Sequence, residues 1–401
     1  MMESLSCLDI SNVYIYVGDA VRYDSLQENV RERGISIRTI AASTHSPTSF
    51  ASLVTGRYPP RHGVETFTNR IAPDILTLFE IPDIETGFVN SIFAFATREH
   101  TDLQDPIYSI LDMDQSESRN LSEIPTPFVL MERGPGGHAP YGDFDGGASQ
   151  YFFDRADAAT ATLQSEYAQS IERDAELFEQ RLQTLQSRGL LEDTLVIYTS
   201  DHGEMLGENG LLGHNGPMCP ELVYVPSVFI HPEFGDVRRK KNTIHHVDIL
   251  PTVCDLLDQT EDCFPGMDGK SLLSGISDEP RPCFWANDFL PDSIPLSGRL
   301  AYNGVWNSSG GHVFTEIGLV NRMTVLGGKL FRSSKRSYMR RHLSACLRAY
   351  LRGDTTYGEP DFSKTDADCV IQNASEDPAH TVETNLTGDS RQRLKSLGYL
   401  K

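Results

Sequence analysis

From Met1 to Arg239 this 401-residue chain contains no lysine; the first is Lys240. Arginine supplies nearly all the positive charge, and 35 Lys+Arg stand against 56 Asp+Glu, a net charge of −21. A chain so short of cations is not expected to bind nucleic acid over a broad surface, because neutralising phosphates needs clustered Lys and Arg. An acidic, lysine-poor surface fits a salt-rich cytosol, where screening removes the self-repulsion, and predicts a salt-loving source. Close cysteine pairs are also missing. Cys7, Cys219, Cys254, Cys263, Cys283, Cys346 and Cys369 are odd in number and scattered, which predicts reduced thiols in a cytoplasmic protein. The N-terminus lacks the basic start and apolar run of a secretion signal. No stretch reaches the roughly 18 apolar residues of a membrane span.

What is present reads as a folded protein: 39% hydrophobic residues with modest Gly and Pro. Val13 to Val17 (VYIYV) is a continuous β-branched and aromatic run ending at Gly18-Asp19, the pattern of a buried parallel strand. Gly87 to Ala96, Phe128 to Met131 and Leu195 to Thr199 read similarly. Helical spacing of Leu163, Tyr167, Ile171, Leu177, Leu182 and Leu185 predicts a helix over Ala156 to Ser187, and a second is expected over Val247 to Leu257. Strands alternating with helices predict a doubly wound α/β sheet, with ligands at the carboxyl ends of its strands. Beyond about Pro280, Ala301 to Trp306, His312 to Gly318 and Arg322 to Phe331 suggest a small antiparallel sheet, followed by a helix-like stretch from Lys335 to Leu351. The division expected is 1–279 and 280–401.

Three of the strand ends carry chemistry: Asp19, then His138-Ala139-Pro140-Tyr141, then Asp201-His202-Gly203-Glu204. Aspartate oxygen with histidine nitrogen suits Mn, Zn or Fe, and aspartate oxygen alone suits Mg or Ca. Taken singly, Asp19 and Asp201 are equally well helix N-caps. A fourth segment, His45 to Pro59, places hydroxyls before a short helix ending at Gly56. A nucleophile there has backbone N–H groups beside it for a developing anion, and a divalent ion stabilises its alkoxide.

Together these segments resemble the sulfatase family of the alkaline phosphatase superfamily. The matching pieces keep the family's order: VYIYVGDAVRYDSL, SFASLVTGRYPPRHG, HAPY, GLLEDTLVIYTSDHGEMLGENGLLGHNGP, ELVYVP, HHVDILPTVCDLL, GMDGKSLL and RLKSLGYL. The resemblance implies an α/β fold with an alkaline-phosphatase-like central mixed, mostly parallel sheet flanked by helices, and a smaller C-terminal antiparallel sheet subdomain. It implies one divalent metal (Ca, Mg, Mn or Zn) and hydrolysis of sulfate, phosphate or phosphonate esters through a covalent intermediate. Asp19, Asp201 and His202 match its metal positions, Ser46 its nucleophile, His138 its substrate-binding histidine and His214 the basic site after the second metal pair. Arg57 of TGRYP matches too, as a substrate contact or as a brace for the helix.

This sequence also departs from the family. The Cys-x-Pro-Ser-Arg element, whose cysteine becomes formylglycine, is replaced by Ser46-Pro47-Thr48-Ser49-Phe50. An unmodified Ser46 is expected, with Thr48 as rival, and Phe50 stands where the arginine belongs. Ala20 replaces the second Asp of the metal pair and His202 an Asn, which resembles the phosphonate and phosphodiester hydrolase branch. With no lysine in this region, Arg98, His100, His138 and His214 become the candidates for gripping the anionic ester. His245-His246-Val247-Asp248 reads as a helix start rather than a second metal site, and Asp143 and Asp145 as loop carboxylates. Arg322 to Arg352 holds nine basic residues and no Asp or Glu; without it the charge is −21 − 9 = −30. That stretch either pairs with the acidic main domain or meets an anionic polymer, lipid surface or remote part of the substrate. The expected partner is a small or polymeric anionic ester; the oligomeric state stays open. A transferase, with an acceptor hydroxyl in place of water, and a non-catalytic binding protein are the alternatives.

Overall fold

The computed structural model describes residues 8–94, 105–115, 119–234, 238–259, 264–289 and 298–384, together with Leu5, Leu386, Gly388, Arg391 and Leu394 singly. Arg98, His100, Cys7, Cys263 and the RLKSLGYL segment (393–400) apart from Leu394 lie outside these residues. Seven strands form the central sheet: β1 (Asn12–Gly18), β2 (Ile35–Ile40), β3 (Glu85–Asn90), β4 (Phe128–Gly134), β5 (Thr194–Ser200), β6 (Tyr224–Ile230) and β7 (Arg238–His245). Their spatial order is β7-β2-β6-β5-β1-β4-β3. Only β6 runs against the others, so the sheet is mixed and mostly parallel, as expected.

The continuous apolar runs follow from burial on both faces. In β1, Val13, Ile15 and Val17 pack into one core with the helices α1 (Ser46–Thr55) and α3 (Ile249–Leu256). Tyr14 and Tyr16 face the other core, under Leu163, Tyr167, Ile171, Phe178, Leu182 and Leu185 of α2 (Thr160–Ser187). The expected helix boundary at Ala156 moves to Thr160. The strand expected over Gly87 to Ala96 ends at Asn90, and Ile92–Ala94 form a turn.

A second sheet is antiparallel: β8 (Arg281–Asp288), β9 (Arg299–Asn307), β10 (Gly310–Thr315) and β11 (Thr355–Gly358). Arg322 to Phe331, expected as a strand, is instead helix α4 (Leu319–Arg332). Arg322, Val325 and Leu326 are its buried residues, an i, i+3, i+4 stripe that only a helix turns to one side. The helix-like stretch after it divides at His342 into α5 (Arg336–Arg341) and α6 (Leu343–Leu351). These three helices, with Trp285, Tyr302 and Trp306 of the small sheet, pack on Met205, Leu211, Met218 and Leu222 from the region after β5.

Candidate active site

Three neighbouring parallel strands end together. Gly18 lies opposite Gly134 on one side and Ser200 on the other, so Asp19, the 135–138 turn and Asp201 come side by side. Asp201 Oδ1 accepts the backbone N–H groups of Ala20 and His202, both at 2.9 Å. Ala20 adopts φ 56°, uncommon for a residue with a Cβ, and this turns its N–H toward Asp201. The 135–138 turn sits on Asp19: Gly137 N–H donates to the Asp19 carbonyl at 2.7 Å, and a Cβ on Gly136 would collide with the Asp19 backbone. Asp174 of α2 holds the same turn from below, accepting from Gly136 N–H (2.8 Å), Tyr16 (2.8 Å) and Tyr198 (2.7 Å).

Arg133, at the end of β4, donates to Asp19 Oδ2 through Nε (2.9 Å) and Nη2. Burial alone raises the Asp19 carboxyl, but this guanidinium outweighs it and holds the group at about 2. Burial and the charge of Asp19 push Asp201 upward. The Arg133 guanidinium also lies over the Phe50 ring at 5.6 Å. Asp19 Oδ1 and Asp201 Oδ2 are buried without hydrogen-bond partners. A ligand atom from each of Asp19, Asp201 and His202 lies within 4.8 Å of the others. Two orphaned carboxylate oxygens beside an imidazole nitrogen are the donor set of a divalent cation, so these residues fit the metal that the resemblance implies.

Ser46 opens α1, and its Oγ is 3.1 Å from His202 Nε2. His202 Nδ1 is 2.8 Å from the Gly203 carbonyl; a carbonyl only accepts, so Nδ1 carries a proton, and Nε2 faces Ser46 and, at 3.6 Å, Asp201 Oδ2. The Thr48 hydroxyl, by contrast, donates to the Glu65 carbonyl at 2.9 Å. His214 stands against His202 with ring centroids 4.2 Å apart. Its Nδ1 is 3.0 Å from Glu204 Oε2, while Glu204 Oε1 accepts from Tyr141 at 2.6 Å. Burial, and then the neighbouring His202, hold His214 well below the usual histidine range. The side chain of His138, half-buried on its turn, is close enough to act electrostatically on Asp19, Glu204 and His214.

Ser46, His138, His214, Asp19, Asp201 and His202 thus come together. Arg57 goes elsewhere: its Nη2 donates to the Pro265 carbonyl at 2.6 Å. His245 and His246 start the turn before α3. His246 Nε2 is 2.9 Å from the Ser200 carbonyl, and its Nδ1 accepts from Ala42 N–H, so both ring nitrogens are engaged. Asp143 pairs with Arg173 at the surface. Sequence reasoning assigned no role to Arg133, Glu204 or Tyr141. It also missed Lys335, which closes the site from the α4–α5 junction. A Cβ on Gly213 (φ 76°) would strike Lys335 Nζ, whose charge bears on Glu204 and His214. Nearby Lys329 donates to the Asn215 carbonyl, and burial lowers it to about 7. The lysines absent from the first half of the chain reach the site from its C-terminal part.

Residues 114–259 match the family described as Sulfatase. The low-salt glycan biosynthesis sulfotransferase Agl7 of Haloferax volcanii is 30% identical over 408 residues, covering 97% of this chain and 96% of that one. The multifunctional alkaline phosphatase superfamily protein PehA of Trinickia caryophylli is 33% identical over 110 residues, 26% of this chain and 20% of its own. Among solved structures, the fold is shared with a 2-O GAG sulfatase (TM-score 0.57, 15% identity, 93% of this chain and 94% of that one) and with the phosphonate monoester hydrolase of Agrobacterium radiobacter (TM-score 0.54, 17% identity, 87% and 100%). The chain belongs to the sulfatase family. It is an enzyme of the sulfuric ester hydrolase class, built on the alkaline-phosphatase-like fold.

Proposed function

We propose that Ser46 is the nucleophile and that the substrate is a sulfate ester of a sugar. The observation that carries the assignment is the Ser46 hydroxyl, at the start of α1 and 3.1 Å from Nε2 of His202, one of the three residues that would hold the metal. Asp19, Asp201 and His202 would hold one divalent ion, with a histidine nitrogen favouring Mn or Zn over Ca or Mg. Such an ion, when bound, polarises an ester oxygen and favours the serine alkoxide. The Ser46 Oγ–sulfur bond forms as the bond from sulfur to the sugar oxygen breaks, and His138 carries the proton that leaves Ser46 to that oxygen. The first-turn N–H groups that Pro47 leaves to α1, those of Ser46 and Thr48, would favour the developing anion. Water then attacks sulfur and releases sulfate from Ser46, with a histidine taking the proton.

A second reading is favoured by one finding: the relative matched over nearly its whole length is named a sulfotransferase of glycan biosynthesis. In that reading a sugar hydroxyl replaces water in the second step, and the Ser46 sulfo-ester is common to both. Incubation with a sulfated sugar, with and without an acceptor sugar, followed by intact mass measurement, tests both. A trapped adduct of about 80 mass units on the Ser46 peptide is expected; an adduct on Thr48, or none in an active enzyme, removes the proposal. Free sulfate as product supports hydrolysis, and a sulfated acceptor supports transfer.

A further inference from the structure

The three helices α4, α5 and α6 carry a surface that the reaction does not use. Seven large apolar side chains are exposed among the described residues: Leu76, Phe153, Leu319, Val320, Phe331, Leu343 and Leu351. Five of these belong to 319–351. The phenylalanine outside it, Phe153, has the Arg336 guanidinium over its ring at 5.5 Å, as Phe331 has Arg340 at 5.6 Å. Phe331 and Val320 are 75% and 72% exposed. They share the outer side of α4 with Thr324 and Gly327, opposite the buried Arg322, Val325 and Leu326.

Charge separates this surface from the rest. Arg322 to Arg352 holds nine cations and no carboxylate, on a chain whose remainder sums to −30. Among the described residues only Arg341 of the nine is in an ion pair, with Asp157. The other arginines thus have no carboxylate partner among the described residues. Arginines interleaved with exposed Phe, Leu and Val on amphipathic helices are the pattern of a segment lying in a membrane interface. Anionic headgroups meet the guanidinium groups, and the acyl boundary takes the apolar side chains.

We propose that α4, α5 and α6 form a docking face for an anionic lipid bilayer surface. A purely polyanionic partner would use the arginines and leave Val320, Phe331 and Leu351 in water, whereas a lipid interface uses both. The acidic remainder is repelled by such a bilayer, so this face alone turns toward it. No described helix is long and apolar enough to cross a membrane, and the contact is peripheral. Lys335 and Lys329 project from the inner side of the same helices to the active site, so a docked molecule would hold its site close to the headgroups. The proposal is independent of whether sulfur goes to water or to a hydroxyl.

Flotation of the full-length protein with vesicles of phosphatidylglycerol and phosphatidylcholine, against phosphatidylcholine alone, tests it. The protein is expected to float with the mixed vesicles and to stay behind with the neutral ones. Val320→Ser with Phe331→Ser should weaken binding about tenfold or more at unchanged melting temperature. Arg332→Ser and Arg348→Ser should each weaken it about fivefold, an effect that shrinks as salt rises while the apolar effect persists. Three results would overturn the proposal. One is binding that the variants leave intact. Another is retention on a sulfated-polysaccharide column without vesicle binding, which marks a polyanion patch. The last is Phe331→Ser converting a dimer to a monomer without vesicle binding, which marks a self-contact.

Discussion

The strand-end site and the helical arm beside it use charge in opposite ways. At the strand ends the polar groups are buried and partnered: Arg133 is ion-paired with Asp19, Glu204 is hydrogen-bonded to His214 and Tyr141, and Asp174 accepts from two tyrosines and a backbone N–H. On the arm six of the nine cations lie at the surface, Arg332, Arg336, Arg340, Arg341, Arg348 and Arg352, and of these only Arg341 has a carboxylate partner among the described residues. Matched buried charge fixes orientation and is costly to disturb. Unmatched exposed charge contributes almost nothing to folding, and its use must be found outside the molecule. Two stretches of one acidic chain are thus specialised for geometry and for contact.

Substitutions can break this comparison. Ser46→Ala should lower kcat by about 10⁴-fold or more, the scale on which loss of a nucleophile acts, while Thr48→Ala, whose hydroxyl serves a backbone carbonyl, should stay within about threefold; steady-state kinetics on a sulfate ester decides between them. Arg133→Met leaves Asp19 buried without its counter-charge and should cost about 3–5 kcal/mol in urea unfolding without added metal. Asp174 has its carboxyl raised, by burial first, to about 6. Its folded form therefore binds a proton that the unfolded chain, with a pKa near 3.9, has already lost. Stability should fall as pH rises from about 4 to 6, by up to about 3 kcal/mol, and Asp174→Asn should flatten that slope. Glu204→Gln keeps the Tyr141 contact but removes the charge facing His214, and should lower kcat about 10²-fold. On the arm, Arg332→Ser should shift unfolding by less than about 0.5 kcal/mol; a larger loss would mean that this surface is structural after all.

Much of the fold is legible in the sequence because strands buried on both faces must be apolar throughout. VYIYV, FVLM and LVIYT announce themselves, and the chemistry follows at their ends. Ser46, Asp201 and His202 sit in contiguous motifs, so local reading finds them. Arg322 to Phe331 was misleading because its buried stripe is short and passes Gly327-Gly328, which look like a turn. Arg133 and Glu204 lay within stretches already singled out, but nothing local says that one turns to Asp19 and the other to His214. Lys335 and Lys329 were beyond reach for a different reason: the Lys329–Asn215 contact joins residues 114 positions apart, and only tertiary packing creates it.

The segment from Gly207 to Gly213 has glycines at both ends and at Gly210. Tyr338 and Thr160 crowd Gly207, His342 and Cys346 crowd Gly210, and Lys335 crowds Gly213. This stretch leads from Glu204 to His214, so the pairing of those two residues rests on α5 and α6. During synthesis the proposed nucleophile and metal positions emerge first, and the part that braces Glu204 and His214 emerges more than a hundred residues later. A nascent chain would thus hold the proposed nucleophile beside an unfinished Glu204–His214 pair. Chemical competence would arrive as one of the last events of its assembly, together with the face we assign to the membrane.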